Sequence, residues 1–219
     1  MPFADRTDAG RKLAALLMKY RDENPVVLAL PRGGVPVAAE IARALGAPLD
    51  LLLVRKIGVP MQPELAMGAV VDGQNPIVVR NDDVIAMTGV SQAGFARVRD
   101  RELAEIERRH RDYLGNRPPQ EIEGHTAIVV DDGIATGATT RAALKAVRMR
   151  KPTRVVLAVP VGPTETLMHL KDDADDVVAV ESYDNFGAIG FFYEDFDQIE
   201  DEDVIRILAQ FPPHGRAAG

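Results

Sequence analysis

The 219-residue chain contains no cysteine. That removes disulfides, thiolate nucleophiles and cysteine-ligated zinc together. Its four histidines, His110, His125, His169 and His214, show no zinc-ligand spacing and read as surface residues. Ser91 and Ser182 are the only serines and neither sits in a Gly-x-Ser-x-Gly setting, which speaks against a serine hydrolase. No Gly-x-Gly-x-x-Gly follows a strand, and there is no Walker lysine. No apolar run approaches the roughly 20 residues of a membrane helix. The opening MPFADRTDAGRK lacks the apolar stretch of a signal peptide, so a soluble, cytoplasmic protein is expected. Positive charge is in deficit: 26 Lys and Arg against 33 Asp and Glu leave a net charge of −7. Such a chain suits neither nucleic acid nor an anionic membrane, so an anionic ligand must be met by a local site. Aromatic residues are few, seven Phe and four Tyr, and Tyr183, Phe186, Phe191, Phe192, Tyr193 and Phe196 crowd into one segment.

What is present alternates. Apolar spacing predicts a helix over Asp8–Glu23, stopped by Asn24-Pro25. Short apolar runs at Val26–Leu30 and Leu49–Val54 read as buried strands around a helix from Pro36 to Leu45, a parallel βαβ unit. Arg55–Pro63 has turn chemistry and no periodicity, and is expected to be a mobile loop. Leu65–Val71 and Pro76–Val79 read as short strands joined around Asp72-Gly73. Ser91–Leu114 reads as a long charged helix with six Arg and interleaved acids. Glu105 with Arg109, and Glu107 with Arg111, are at ion-pair spacing, which favours a solvated face or a dimer contact over an RNA surface. Strands at Thr126–Val130, Arg154–Pro160 and Asp176–Val180 then alternate with helices at Gly137–Arg150 and Pro163–Asp173. A last helix is expected near Asp201–Phe211, before a frayed polar tail. The pattern predicts a single α/β domain over 1–219, an open and mostly parallel sheet with flanking helices.

Chemistry concentrates in Ile128–Thr140, IVVDDGIATGATT. A buried strand ends in two carboxylates, Asp131 and Asp132, and a small-residue loop leads into a helix. Open α/β sheets bind ligands at such strand ends. Gly137 and Ala138 leave room for a ligand beside the backbone. The N–H groups of Ala135 to Thr139 would face an anion at the helix N-terminus. Hydroxyls of Thr136, Thr139 and Thr140 add donors. One end of the loop suits a phosphate; the other suits a vicinal diol, a metal ion, or both. Taken singly, each part also fits a capped strand–turn–helix junction.

The whole string resembles the signature of type I phosphoribosyltransferases, which use 5-phosphoribosyl 1-pyrophosphate (PRPP): an apolar strand, two acids, then Thr-Gly-x-Thr. The likeness covers nearly the whole chain. FADRTDAGRKLA, PRGGVP, VRKIGVPMQPELAMGAV, VVDDGIATGATTRAAL and IGFFYEDF are similar to one bacterial subfamily with no agreed acceptor base. The resemblance implies the type I fold, with an aromatic hood at about 182–200 and an inserted long helix at about 91–114. It implies a Mg²⁺-dependent transfer of ribose 5-phosphate from PRPP to a nitrogenous base, with release of pyrophosphate, in a homodimer. On that likeness Arg32, Gly33 and Gly34 form the pyrophosphate loop. Arg55 and Lys56 open the flexible catalytic loop that would clamp the departing pyrophosphate, and Glu64 lies just beyond it. Ala135, Thr136, Gly137, Ala138, Thr139 and Thr140 take the 5-phosphate. Asp131 and Asp132 take the ribose hydroxyls and, through them or through water, the metal. Hood aromatics, Phe192 and Tyr193 among them, are expected to pack the hood, with one or two facing the base. The 6-oxopurine branch carries an Asp where this chain has Ala135, which points the acceptor away from hypoxanthine and guanine. The alternative is a PRPP- or nucleotide-binding regulator that keeps the fold without turnover.

Overall fold

The computed structural model describes residues 2–72 and 76–212. Gly73 of the expected turn, His214 and the tail lie outside the described residues. Helix α1 (Arg6–Leu17) is capped by Asp5, whose carboxylate accepts the Asp8 N–H at 2.7 Å. It starts earlier and ends sooner than its periodicity predicts, running into a 3₁₀ turn at Met18–Tyr20. Then follow β1 (Pro25–Ala29), α2 (Gly34–Leu45) and β2 (Leu49–Leu51), with β6 (Thr126–Val130), α5 (Ala138–Met149), β7 (Arg154–Pro163), α6 (Thr164–Leu170), β8 (Asp176–Tyr183) and α7 (Asp201–Leu208) further along. Five strands form one sheet in the order β2-β1-β6-β7-β8, every pair parallel.

The apolar runs are continuous because both faces of this sheet are covered. Successive strand residues alternate between two cores. Val27, Ala29, Ile128 and Val130 join the core under α1 and α2. Val26, Leu28, Ala127 and Val129 join the core with Ala143, Leu144 and Val147 of α5.

The expected mobile loop at Arg55–Pro63 is instead part of a second sheet. There β3 (Val54–Val59) and β4 (Gln62–Val71) form an antiparallel hairpin, extended by β5 (Ile77–Arg80). The second core strand accordingly stops at Leu51, and Val54 already belongs to β3. Register shifts on either side of Gly58 break the alternation that marks a strand, so the hairpin reads as turn in the sequence. A short helix, α3 (Asp82–Thr88), follows; it has no fully buried residue and left no apolar pattern to find.

Helix α4 (Gln92–Leu114) is capped by Ser91, whose hydroxyl accepts the Gly94 N–H. It is not solvated all round: Phe95, Val98, Glu102, Ile106 and Tyr113 form a buried stripe. Glu105 pairs with Arg109 at 2.8 Å and with Arg108 at 2.9 Å, whereas Glu107 and Arg111 form no ion pair among the described residues. Asp72, at the end of β4, joins the two sheets. Its backbone N–H donates to the Leu53 carbonyl at 2.9 Å, and its carboxylate accepts the Leu53 N–H at 3.1 Å. The same carboxylate lies 3.4 Å from His110 Nδ1, and its carbonyl accepts Arg150 from α5.

Candidate active site

The topology makes a crevice before any side chain is considered. From β1 the chain steps outward to β2, and β6 later opens the other half of the sheet. Loops leaving the carboxyl ends of β1 and β6 therefore diverge at the switch point. Those two loops carry Arg32-Gly33-Gly34 and Asp131 to Thr140.

They meet at close range. The Leu30 N–H donates to the Val130 carbonyl at 2.8 Å, extending the ladder past both strands. A Cβ on Gly34 would lie 2.7 Å from the Val130 oxygen, and a Cβ on Gly33 only 2.0 Å from Asp132 Oδ2. Asp131 Oδ1 accepts the Asp132 N–H at 2.9 Å. Burial, and then the adjacent Asp132 charge, raise the Asp131 carboxyl well above the usual carboxylate range. The peptide between Pro31 and Arg32 is cis. Arg32 turns toward the start of α7, 3.3 Å from Glu200 and 3.6 Å from Asp201.

At the other end of the loop, Gly137 caps α5 with φ of +73°, a conformation that favours glycine. No side chain caps this helix and no acid stands in its first turn, so its field is open to an anion. Ala135, Thr136, Ala138 and Thr139 are exposed. Thr140 is buried at 3% exposure, so its hydroxyl does not join the outward-facing donors expected of it.

Thr139 also lines a cleft of about 700 Å³ between the hairpin and α4. Arg55, Lys56 and Glu64 share that cleft, so these expected site residues do converge with the phosphate-type loop. Each is already partnered. Arg55 Nε and Nη2 reach Glu102 Oε2 at 2.9 and 2.8 Å, and Lys56 reaches Glu64 at 3.0 Å. Glu102 is 5% exposed and also accepts Arg101 at 2.9 Å. Among the described residues, neither Arg55 nor Lys56 bonds Asp131 or Asp132.

Most of the hood aromatics pack on one another, while Phe191 is 78% exposed. Phe192 stacks on Tyr183 and Phe186, with ring centroids 4.7 and 4.8 Å apart. Tyr193 is buried and bridges to Phe3 in a short parallel contact. Its hydroxyl donates to the Asp132 carbonyl at 2.5 Å. Burial, then the Asp132 charge, raise this phenol, which keeps it a donor. Tyr193 thus presents no open ring face to a base; it holds the acidic loop from beneath.

Two further residues of this region lie outside the candidate ligand-binding motifs of the sequence. Arg6, from α1, donates through Nε to Asp132 Oδ2 at 2.8 Å, across a separation of 126 residues. Nothing local signals that contact. Glu102 was detectable, because it occupies a stripe position between Val98 and Ile106. Among the described residues, no group of three or more His, Asp or Glu could hold a metal. Asp131 and Asp132 offer two carboxylates, one oxygen of which Arg6 already takes. That set fits Mg²⁺, which accepts one or two carboxylates and completes its shell with water and substrate phosphates.

No helix among the described residues is long and apolar enough to cross a membrane. A Mycobacterium tuberculosis (strain H37Rv) protein named "Putative phosphoribosyl transferase Rv0571c" is 45% identical over 206 residues. That match covers 94% of this chain but 46% of the relative, so the chain spans just under half the relative's length. The crystal structure of TT1426 from Thermus thermophilus superposes with a TM-score of 0.86 at 42% identity, covering 97% of this chain and all of that one. The Phosphoribosyl transferase domain family model matches residues 5–197, a span that holds both crevice loops, the hairpin and most of the hood, and the chain belongs to that family.

Proposed function

We propose that this chain transfers ribose 5-phosphate from PRPP to a ring nitrogen of a nitrogenous base and releases pyrophosphate. One observation carries the reading: a strand tipped by two carboxylates leads through a short loop into a helix N-terminus with no side-chain cap, at the switch point of a parallel sheet. Carboxylates at one end and free N–H groups at the other match a sugar phosphate, with its hydroxyls and its terminal anion. The Ala135–Thr139 backbone would hold the 5-phosphate and Gly33-Gly34 the pyrophosphate. The half-buried cations of the hairpin would meet charge growing on the leaving group, at the cost of exchanging their present carboxylate partners. Mg²⁺, when bound, would neutralise pyrophosphate oxygens beside Asp131. Transfer through an oxocarbenium-like state asks mainly for positioning and fixed charge, and that is what these residues can supply.

The acceptor follows from Ala135. A carboxylate near the attacking ring nitrogen could assist proton movement, and alanine cannot. Adenine or another small heterocycle is therefore expected ahead of hypoxanthine and guanine, with Glu64 the acid nearest in the hairpin. Assembly as a homodimer belongs to the same reading. Pyrophosphate release with PRPP, Mg²⁺ and a panel of bases tests it. Release with one base supports the transferase. Tight PRPP binding with no release for any base would establish a regulator instead, a role that the paired state of Arg55 and Lys56 also suits.

A further inference from the structure

Arg6 stands where neither helix nor core chemistry favours it. It is the first residue of α1, and a cation there opposes the helix dipole. It is 8% exposed, and a buried guanidinium is costly without partners. Three partners offset that cost. Nε donates to Asp132 Oδ2 at 2.8 Å, Nη1 donates to the Asp197 carbonyl at 2.8 Å, and the guanidinium lies 3.9 Å from the centre of the Phe196 ring. Two of these partners lie in the hood region; the third is an acid of the crevice.

Asp132 is consequently held on three sides. Arg6 fixes its Oδ2, Gly33 presses against the same carboxylate, and Tyr193 takes its carbonyl. Its charge is already balanced. Asp131 differs. Its Oδ1 accepts the Asp132 N–H, and among the described residues no cation pairs with it.

We infer that Arg6 is a positioning residue that gives the two acids different tasks: it pins and neutralises Asp132, so that Asp132 shapes the loop, and it leaves Asp131 as the carboxylate that meets the ligand. The inference rests on the reading of the crevice as a PRPP site. In that site Asp131 is the acid left open to the ribose hydroxyls, and bound Mg²⁺ would favour its ionised form. The Arg6–Asp132 pair would set the loop geometry on which PRPP affinity depends.

A mutant cycle separates these roles. PRPP affinity is measured by calorimetry with Mg²⁺ and no acceptor, and turnover with whichever base supports release. Arg6→Met and Asp132→Asn should each weaken PRPP binding by roughly tenfold or more and change kcat less. Asp131→Asn should lower kcat the most of the three. The double variant Arg6→Met/Asp132→Asn should bind no worse than the weaker single variant, since both remove one unit. Arg6→Met/Asp131→Asn should show multiplied losses. Arg6→Lys keeps the charge but not the fork, and should fall between wild type and Arg6→Met. If Arg6→Met does not fold by circular dichroism, the cycle is run with Arg6→Lys. Multiplied losses for Arg6 with Asp132, or equal kcat losses for the two Asp→Asn variants, would overturn the division of roles while leaving the transferase reading intact. A wild-type protein that binds no PRPP overturns that reading, and this inference with it.

Discussion

Gly33 shows how one residue can matter without any unusual torsion. Its φ of −59° is open to every amino acid, so space and not conformation requires glycine there. A methyl group would lie 2.0 Å from Asp132 Oδ2, and that carboxylate cannot swing aside without leaving Arg6. Gly33→Ala should therefore cost about 1–3 kcal/mol in urea unfolding, the usual range for overpacking. It should also weaken PRPP binding, and wild-type affinity in the folded variant would show that the carboxylate's position does not matter. This is also the scale at which the sequence was most and least informative. Asp131, Asp132 and the Gly137 turn could be read because strand, loop and helix are contiguous. Arg6, and the contact by which Tyr193 braces the loop, could not, because their partner lies 126 and 61 positions away, and no local pattern records a tertiary contact.

Among the elements, the five core strands and most helices announced themselves through burial on both faces, while the β3–β4 hairpin did not. Its first residues are partly exposed, Gly58 breaks its register, and Pro60 and Pro63 imitate a loop. The chemistry expected of a loop is retained in a different shape. Arg55→Ala and Lys56→Ala should lower kcat more than PRPP affinity, because their role would lie with charge that grows during transfer. Losses confined to KM would show uniform binding instead. Helix α4 supports the hairpin through Glu102, and it carries a pH-dependent contact as well. The hydrogen bond that His110 donates to the Asp72 carboxylate, with that carboxylate's charge, raises the His110 pKa above its usual value. A raised folded-state pKa means that the contribution is fully present below about 6.5 and fades as pH climbs through the folded value. His110→Gln should thus destabilise the protein more under mildly acidic conditions than at alkaline pH. Denaturation curves for both proteins across that window measure the difference, and a constant gap would remove His110 as its source.

At the scale of the whole molecule, an acidic chain gathers Arg55, Lys56, Arg97 and Arg101 around one cleft that reaches Thr139 at a helix terminus. A ligand bound only by the native state stabilises it by mass action. PRPP with Mg²⁺ at about 100 times its Kd should add about 2.7 kcal/mol. For a chain of 219 residues that corresponds to a rise in Tm of roughly 5–10 °C. No shift beyond Mg²⁺ alone would argue against a PRPP site anywhere in the fold.

Asp72 gives the two sheets a mechanical relation. The strands of one sheet make no ladder with the strands of the other, so stiffness across the boundary depends on side chains and a few crossing bonds. Asp72 acts there as a rivet, fastening the exit of β2 to the end of β4 and to α4. Removing its carboxylate in Asp72→Ala keeps the backbone bonds to Leu53 and Arg150 but frees the Leu53 N–H and His110. Amide hydrogen exchange should then quicken through β3, β4 and β5 as a block, with β1, β6 and β7 unchanged. The leaf that carries Arg55 and Lys56 would then move more freely on a rigid frame, held by its core packing and by Glu102 but no longer fastened at its seam.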